Sequence, residues 1–295
     1  MKVNQLALFT ATLALGVSSA MAQDVYYPIY ISQLSAQGTA RSMGFGNALG
    51  SIGGDFTSAS VNPAGLGIYR SSELSFTPSI KASSASTQYL GSVSNDNFIR
   101  FNVNNLGMVF TDAPKGKRYD RRDWKSVSFA IGFNRLADIN RDYSYTGYNS
   151  NSSATLAFEA DANQYPADAL STTSLTVPGY LGYQAYLIND IPGNQFTTVV
   201  PYTGGIRQDK YVRERGRVNE WTFSLAGNYR EKLMLGATLG IPSIRYSINS
   251  TYSESLALGN NAPNPSGFRS FSYNQALDVT GVGINLKLGA IYKVN

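Results

Sequence analysis

The 295-residue sequence contains neither cysteine nor histidine. Without cysteine the chain forms no disulfide and offers no thiol nucleophile. Without histidine it lacks the commonest general base and the commonest transition-metal ligand, and a serine–histidine triad is excluded. Charged residues are sparse, at 15% of the chain, with a net charge of +5. The sequence therefore predicts a protein that is not an enzyme, with no cofactor and no metal site.

Long apolar runs are also missing. After residue 22 no stretch reaches the roughly eighteen uninterrupted apolar residues of a membrane-spanning helix, so none is predicted. Tyrosine, phenylalanine and glycine are abundant instead, with 20, 14 and 28 copies. A cysteine-free chain of this composition, with strands in which apolar and polar residues alternate, is more typical of a membrane β-barrel than of a small exported enzyme.

Residues 1–22 have the three parts of a secretory signal peptide. Lys2 gives a positive start, an apolar run extends from Leu6 to Val17, and small residues occupy a cleavage site ending at Ala22. We expect the mature chain to begin at Gln23. Together with the strand pattern below, this export signal predicts the outer membrane of a Gram-negative cell, with its lipid as a partner.

Residues 23–70 are predicted to form a short arm followed by a compact plug. The stretch from Gly38 to Tyr69 is dense in glycine, which allows close backbone packing and left-handed turns. It contains the run NPAG (62–65), in which proline fixes φ and pushes the preceding asparagine out of the α region. Brief helical turns are predicted near 48–52 and 58–61.

Residues 71–295 are predicted to form the N-terminal part of an antiparallel transmembrane β-barrel. Apolar residues alternate with small polar ones, most regularly in SVSFAIGFN (126–134), as expected of a wall between lipid and a filled lumen. Six strands are predicted, at 73–80, 98–110, 126–134, 221–229, 233–248 and 281–292. Residues 83–97 are predicted to be a polar loop, about 137–218 a long extracellular loop, and Pro242 the site of a bulge or kink.

The long loop contains an aromatic and apolar stretch around 177–188. Exposed apolar patches outside a membrane often mark binding surfaces. One interpretation is an entry groove for a hydrophobic small molecule, lined by Phe158, Leu181, Tyr183, Tyr186 and Leu187. The alternative is that these residues pack the loop onto itself or onto the barrel rim.

Basic residues are concentrated in the segment 111–125. A patch of this kind can bind nucleic acid or phosphate. We interpret it as a solvated turn between two strands, because an exported barrel meets no nucleic acid, and we predict no nucleic-acid partner.

Three tracts resemble one family of outer-membrane proteins. GTARSMGFGNALGSIGGDFTSASVNPAGLGIYRSSELSFTPS, NEWTFSLAGNYREKLMLGATLGIPSIRYS and GVGINLKLGAIYK are similar to the FadL/TodX transporters of hydrophobic compounds, particularly to members from Bacteroidetes. The resemblance implies a barrel of about fourteen strands with an N-terminal hatch. It also implies capture of long-chain fatty acids or aromatic hydrocarbons by outer loops, and passage through a lateral opening. In this sequence Asn62, Pro63, Ala64 and Gly65 would form the hatch turn against the inner wall.

The chain departs from that family in its strand number. Six strands cannot close a barrel, and open edges in hydrocarbon cost several kcal/mol per unpaired backbone group. We therefore expect a C-terminally truncated chain that lacks the C-terminal half of its barrel, or closure by self-association. Two other functions remain open: a haem-binding receptor, in which only tyrosine or methionine could ligate the iron, and a non-transporting scaffold barrel for protein secretion.

Overall fold

The computed structural model describes residues 29, 32, 37–164, 177–193, 195–257 and 259–294. The predicted signal peptide (1–22) and most of the predicted arm lie outside these residues. The described chain has three parts: a glycine-rich segment (37–72), a large antiparallel sheet, and a loop region (150–205) between two strands of that sheet.

The glycine-rich segment contains short helices and no strand within its described residues. They are α1 (Ala40–Gly44), α2 (Ser58–Val61) and a 3-10 helix (Pro63–Ile68). Thr39 caps α1, since its hydroxyl accepts a hydrogen bond from the backbone N–H of Ser42 at 3.1 Å. The helical turn predicted at 58–61 is confirmed, whereas the one predicted near 48–52 is an irregular turn.

The remaining elements follow in chain order. They are β1 (Glu73–Tyr89), β2 (Ser92–Asp112), α3 (Lys117–Arg121), β3 (Trp124–Asn149), α4 (Thr155–Ala162), α5 (Val177–Gln184), β4 (Ile188–Ile191), β5 (Gln195–Thr198), a 3-10 turn (Tyr202–Gly204), β6 (Ile206–Tyr229), β7 (Leu233–Leu256), β8 (Ser270–Val282) and β9 (Asn285–Tyr292).

Seven of these strands form one antiparallel sheet. Their order is β1-β2-β3-β6-β7-β8, and β9 also pairs with β7. Since β8 and β9 pair with successive parts of β7, they form a single row. The sheet thus has six rows, and the prediction of an all-β antiparallel fold is confirmed.

Two loop predictions are wrong because the strands are much longer than expected. Residues 83–97 belong to a continuous hairpin, joined by a two-residue turn at Leu90 and Gly91 with φ of 46° and 82°. The loop predicted at 137–218 spans only 150–205, because 137–149 pair with 206–218. Polar and ionic cross-strand pairs, such as Arg141 with Glu214 at 2.9 Å, replace the apolar alternation in these extensions.

The pairing around Pro242 differs from the predicted bulge. On the β6 side, Pro242 lies opposite Glu220 in a register that runs unbroken from Ile206 to Tyr229. On the other side, the row is interrupted at 283–284, where β8 ends and β9 begins. Proline cannot donate a ladder hydrogen bond, and its carbonyl accepts one from the N–H of Gly283 at 2.9 Å. Register shifts occur elsewhere, at Thr77/Pro78, at Trp124/Ser126 and at Arg135/Ala137.

The two faces of the sheet differ sharply. Cross-strand register places a set of exposed, large apolar side chains on one face, here called the apolar face: Leu74, Phe76, Ile80, Phe101, Leu106, Met108, Phe110, Trp124, Val127, Phe129, Trp221, Phe223, Leu225, Leu235, Leu239, Val282, Ile284, Leu286, Leu288 and Tyr292. The other face carries small and polar residues and is called the polar face. In the described part of the chain, no helix has the length and apolar character needed to span a membrane.

The loop region has an apolar core of its own. Helices α4 and α5 and the β4–β5 hairpin pack around a buried cluster: Phe158, Ala162, Leu187, Ile188, Phe196, Val200, Ile206 and Phe268. Removing this apolar surface from water stabilises the packing of α4, α5 and the β4–β5 hairpin against one another.

Candidate functional site

The glycine-rich segment packs on the polar face of the sheet. Phe56 is fully buried there with Leu66 and the wall residues Val109 and Ala130. It occupies space left by glycines of the wall, since a Cβ added at Gly132 would lie 2.6 Å from the Phe56 ring. The wall is therefore shaped to receive this side chain.

The NPAG turn lies directly against two strands of the wall. A Cβ added at Gly236 of β7 or at Gly289 of β9 would come within 2.6 or 2.9 Å of the Ala64 nitrogen. Only glycine at these two wall positions allows so close an approach. The four predicted hatch-turn residues, Asn62 to Gly65, are thus brought together at β7 and β9.

Asn62 fixes the conformation of this turn. Its Oδ1 accepts a hydrogen bond from the N–H of Ala64 at 3.2 Å, and its Nδ2 donates one to the carbonyl of Gly50 at 2.7 Å. The run GGD (53–55) lies alongside, where the N–H of Gly54 donates to the carbonyl of Gly65 at 2.9 Å. The GGD and NPAG runs, which both lie in the first of the three tracts that resemble FadL/TodX transporters, therefore form one packed unit.

Asp55 organises the other end of the glycine-rich segment. This buried carboxylate accepts hydrogen bonds from the Thr39 hydroxyl at 2.6 Å and from the N–H of Thr57 at 2.8 Å.

Burial, followed by the charge of Glu73, raises the pKa of the Tyr69 phenol well above its usual range. The protonated phenol donates to Glu73 Oε1 at 2.9 Å, at the point where the segment enters β1.

A buried polar network joins the segment to three strands, and sequence reasoning missed it. The Glu220 carboxylate has no exposed surface. It accepts hydrogen bonds from the Ser60 hydroxyl at 2.7 Å and from Asn285 Nδ2 at 2.9 Å, and forms an ion pair with Lys287. Asn134 Nδ2 donates to the Ser60 hydroxyl at 2.9 Å. A charged residue at a polar-face position of NEWTFSLAGN (219–228) was the available signal.

The apolar face carries an aromatic row at each of two levels. Trp124 packs edge-on against Tyr229 with ring centroids 5.5 Å apart, and Phe133 packs edge-on against Trp221 at 5.8 Å. Nine residues separate the two levels along β3, which is about 30 Å of strand. The chain's two tryptophans lie one at each level.

The five candidate ligand-binding residues do not share one surface. Phe158 and Leu187 are buried in the loop core, and Tyr183 packs against that core, edge-on to Phe196 at 5.5 Å. Leu181 and Tyr186 are exposed, with Tyr186 80% accessible.

Among the described residues, no group of three or more acidic residues is arranged to hold a metal ion.

Comparison with protein-family models, with curated proteins and with solved structures gives no match.

Proposed function

We propose that this chain forms the hatch-bearing part of an outer-membrane β-barrel that transports hydrophobic compounds, such as long-chain fatty acids or aromatic hydrocarbons. The observation that carries the proposal is the pair of opposite sheet faces. One face exposes a band of large apolar side chains, and the other is covered by the glycine-rich segment. Lipid on the first face and a filled lumen on the second would satisfy both surfaces.

The height of the apolar band supports a membrane location. At the usual barrel tilt, the roughly 30 Å of strand between the two aromatic levels would span about 23 Å along the membrane normal. This matches the roughly 25 Å apolar band of outer-membrane barrels, which aromatic girdles border. A face with so many exposed large apolar residues is unfavourable in water. In a bilayer the same face is solvated by acyl chains.

The edges of the sheet call for additional strands. Among the described residues, β1 and the β8–β9 row each have a neighbour on one side only. Unpaired backbone groups in hydrocarbon cost several kcal/mol each, so we propose that further strands close the barrel. A C-terminal barrel half or self-association would supply them.

A lateral route through the wall is supported by the pairing of β2 with β3. Their ladder covers only Asn105–Asp112 and Val127–Asn134, although both strands continue well beyond it. Beyond Asn105, side chains bridge the two strands instead, as where Asn102 Nδ2 donates to Asp138 Oδ2 at 3.0 Å. Because only side-chain contacts join β2 and β3 in this part, the two strands could separate without breaking backbone hydrogen bonds. We therefore propose that the lateral opening forms here.

Lipid insertion can be tested with the protein's two tryptophans. Chain refolded into phosphatidylcholine vesicles should lose Trp fluorescence when the acyl chains carry bromine, because Trp124 and Trp221 lie on the apolar face. Soluble quencher added to the same vesicles should have little effect. Strong quenching by the soluble quencher and none by brominated lipid would contradict the membrane assignment.

Transport is tested by uptake of labelled oleate into cells that lack their own fatty-acid transporter. Gly289→Val should alter uptake, because its side chain displaces the NPAG turn from β9. Gly283→Ala is the matched control, since its added Cβ would meet only Pro242 at an ordinary 3.5 Å. No oleate uptake above background by the unmodified protein would reject the transport proposal even where lipid insertion is observed.

A further inference from the structure

A cleft lined by five arginines lies where the β1–β2 hairpin meets β3, β6, β7 and β8. Its volume is about 220 Å³. The charged side chains around it are Arg100, Arg135, Arg215, Arg217, Arg245 and a single acid, Asp278. Arginine presents a planar fork of donors that matches phosphate and carboxylate oxygens, so this lining is suited to an anion.

The cations of the cleft are incompletely neutralised by the protein. Asp138 is engaged by Lys81 and Arg135, and the nearby Asp142 is engaged by Arg215. Arg217 and Arg245 have no hydrogen bond or ion pair with any described residue, although they lie directly opposite each other in the β6–β7 ladder. Two unpaired like charges at one cross-strand position destabilise a sheet unless an anion lies between them.

A buried, unsatisfied donor provides a second observation at the same place. Arg135 is 8% exposed, and its Nε has no hydrogen-bond partner. Its Nη1 donates to Asn102 Oδ1 at 2.8 Å and to Asp138 Oδ2 at 3.2 Å. A buried guanidinium donor without a partner is costly, and an acceptor in the cleft would remove that cost.

The cleft lies just beyond the apolar band. The β6–β7 ladder contains no register shift, so Arg217 and Arg245 lie on the same face as Phe223 and Leu239. Arg217 is four residues beyond Trp221, which corresponds to about 13 Å of strand and about 10 Å along the membrane normal. Headgroups occupy the layer that begins where the hydrocarbon ends.

We propose that this cleft binds the phosphate of a lipid headgroup. The location at headgroup depth rests on the proposed function; the excess of cations does not. A phosphate monoester carries up to about two negative charges and three acceptor oxygens, which suits a cleft whose lining includes the unpaired Arg217 and Arg245 and the unsatisfied Arg135. A bound lipid at this position would lie beside the β2–β3 separation in the wall.

The test measures lipid binding to the full chain in an uncharged detergent. Dioleoyl phosphatidic acid, dioleoyl phosphatidylcholine, oleate and inorganic phosphate are each titrated, and binding is counted by native mass spectrometry. Arg217→Gln/Arg245→Gln removes the two unpaired cations, and the single Arg217→Gln serves as a milder variant. Arg207→Gln is the matched control, because Arg207 lies on β6 and on the same face, ten residues from Arg217, where it pairs with Asp209.

We expect phosphatidic acid to bind about tenfold more tightly than phosphatidylcholine, and the double variant to lose this preference. Arg207→Gln should keep it, and the double variant without lipid should have a Tm no lower than that of the unmodified protein. Equal binding of phosphatidic acid to both proteins would overturn the site. If oleate or inorganic phosphate binds as tightly as phosphatidic acid, the assignment to a lipid phosphate is overturned. If brominated lipid quenches the tryptophans but the protein shows no preference for phosphatidic acid, this inference is rejected. The proposed membrane insertion is then still supported.

Discussion

Ser60 Oγ lies 2.7 Å from Glu220 Oε2, so the glycine-rich segment is hydrogen-bonded to a carboxylate that has no exposed surface. Lys287 of β9 forms the ion pair with the same carboxylate. One acidic side chain on β6 therefore holds both the segment and a neighbouring part of the wall. This charge is therefore one of the groups that attach the segment to the wall.

Replacement of Glu220 should loosen that attachment. Glu220→Gln keeps the volume but removes the charge, leaving Lys287 without its partner and Ser60 with a weaker acceptor. We expect the free energy of unfolding, measured by urea titration, to fall by about 2 kcal/mol. Trypsin cleavage within the glycine-rich segment, at Arg41 or Arg70, should become faster.

A double-mutant cycle with Lys287→Met separates the ion pair from a general loss of packing. The double variant should lose less stability than the two single variants added together, by about 1 kcal/mol or more. Strict additivity would show that the pair contributes no coupling. Unchanged trypsin sensitivity in Glu220→Gln would show that the segment is held by other contacts.

A charge on the apolar face should distinguish lipid from water. Phe223→Arg places a guanidinium between the two aromatic levels, where lipid contact makes it unfavourable by about 2–4 kcal/mol. Tyr211→Arg is the control on the same strand and face, beyond the apolar band. Urea titration in vesicles should show a large loss for the first variant and about 1 kcal/mol or less for the second. Equal effects of the two would contradict a lipid-facing band.

The loop residues should divide into structural and ligand-contacting groups. Phe158→Ala opens a cavity in the loop core and should cost about 3–5 kcal/mol of that region's stability. Leu181→Ala and Tyr186→Ala alter exposed side chains, so Tm should stay within a few degrees. If these two residues capture the ligand, oleate uptake falls in the double variant. Unchanged uptake would remove them from the ligand route.

The pair Asp123–Arg230 joins the residue before β3 to the turn after β6, and its contribution to stability should depend on pH in the acid range. Arg230 Nε donates to Asp123 Oδ1 at 2.7 Å, and this hydrogen bond lowers the pKa of the Asp123 carboxyl. The stabilisation is therefore complete above the ordinary aspartate pKa of about 3.9 and is lost as pH falls through the lower folded-state value.

Arg230→Gln should return the pKa of Asp123 towards its ordinary value, as an NMR titration of labelled aspartate in micelles would show. The difference in stability between this variant and the unmodified chain should disappear at the acid end of the titration. Added salt should reduce it at neutral pH, because both side chains are exposed. An unshifted Asp123 in the unmodified protein would contradict the pairing.

The periodicity of the sequence was sufficient to predict six antiparallel rows and the faces of their apolar portions. Phe129 and Leu225 are exposed on the predicted side, and the turn at 230–232 is where it was expected. The strand ends could not be predicted, because beyond the apolar band both faces are polar. In segments such as 137–149, neither face is consistently apolar, so hydrophobicity shows no clear two-residue period. The backbone ladder nevertheless continues through this segment.

The sequence alone determined that this chain has no thiol or imidazole chemistry, that it is built of antiparallel strands, and that a glycine-rich segment precedes them. Only the tertiary structure decided which wall residues that segment contacts, that Glu220 binds Ser60 across 160 positions of sequence, and that Arg217 and Arg245 meet in one cleft. The physical reason is that side-chain alternation is local, whereas cross-strand register and face-to-face packing join residues far apart in the chain.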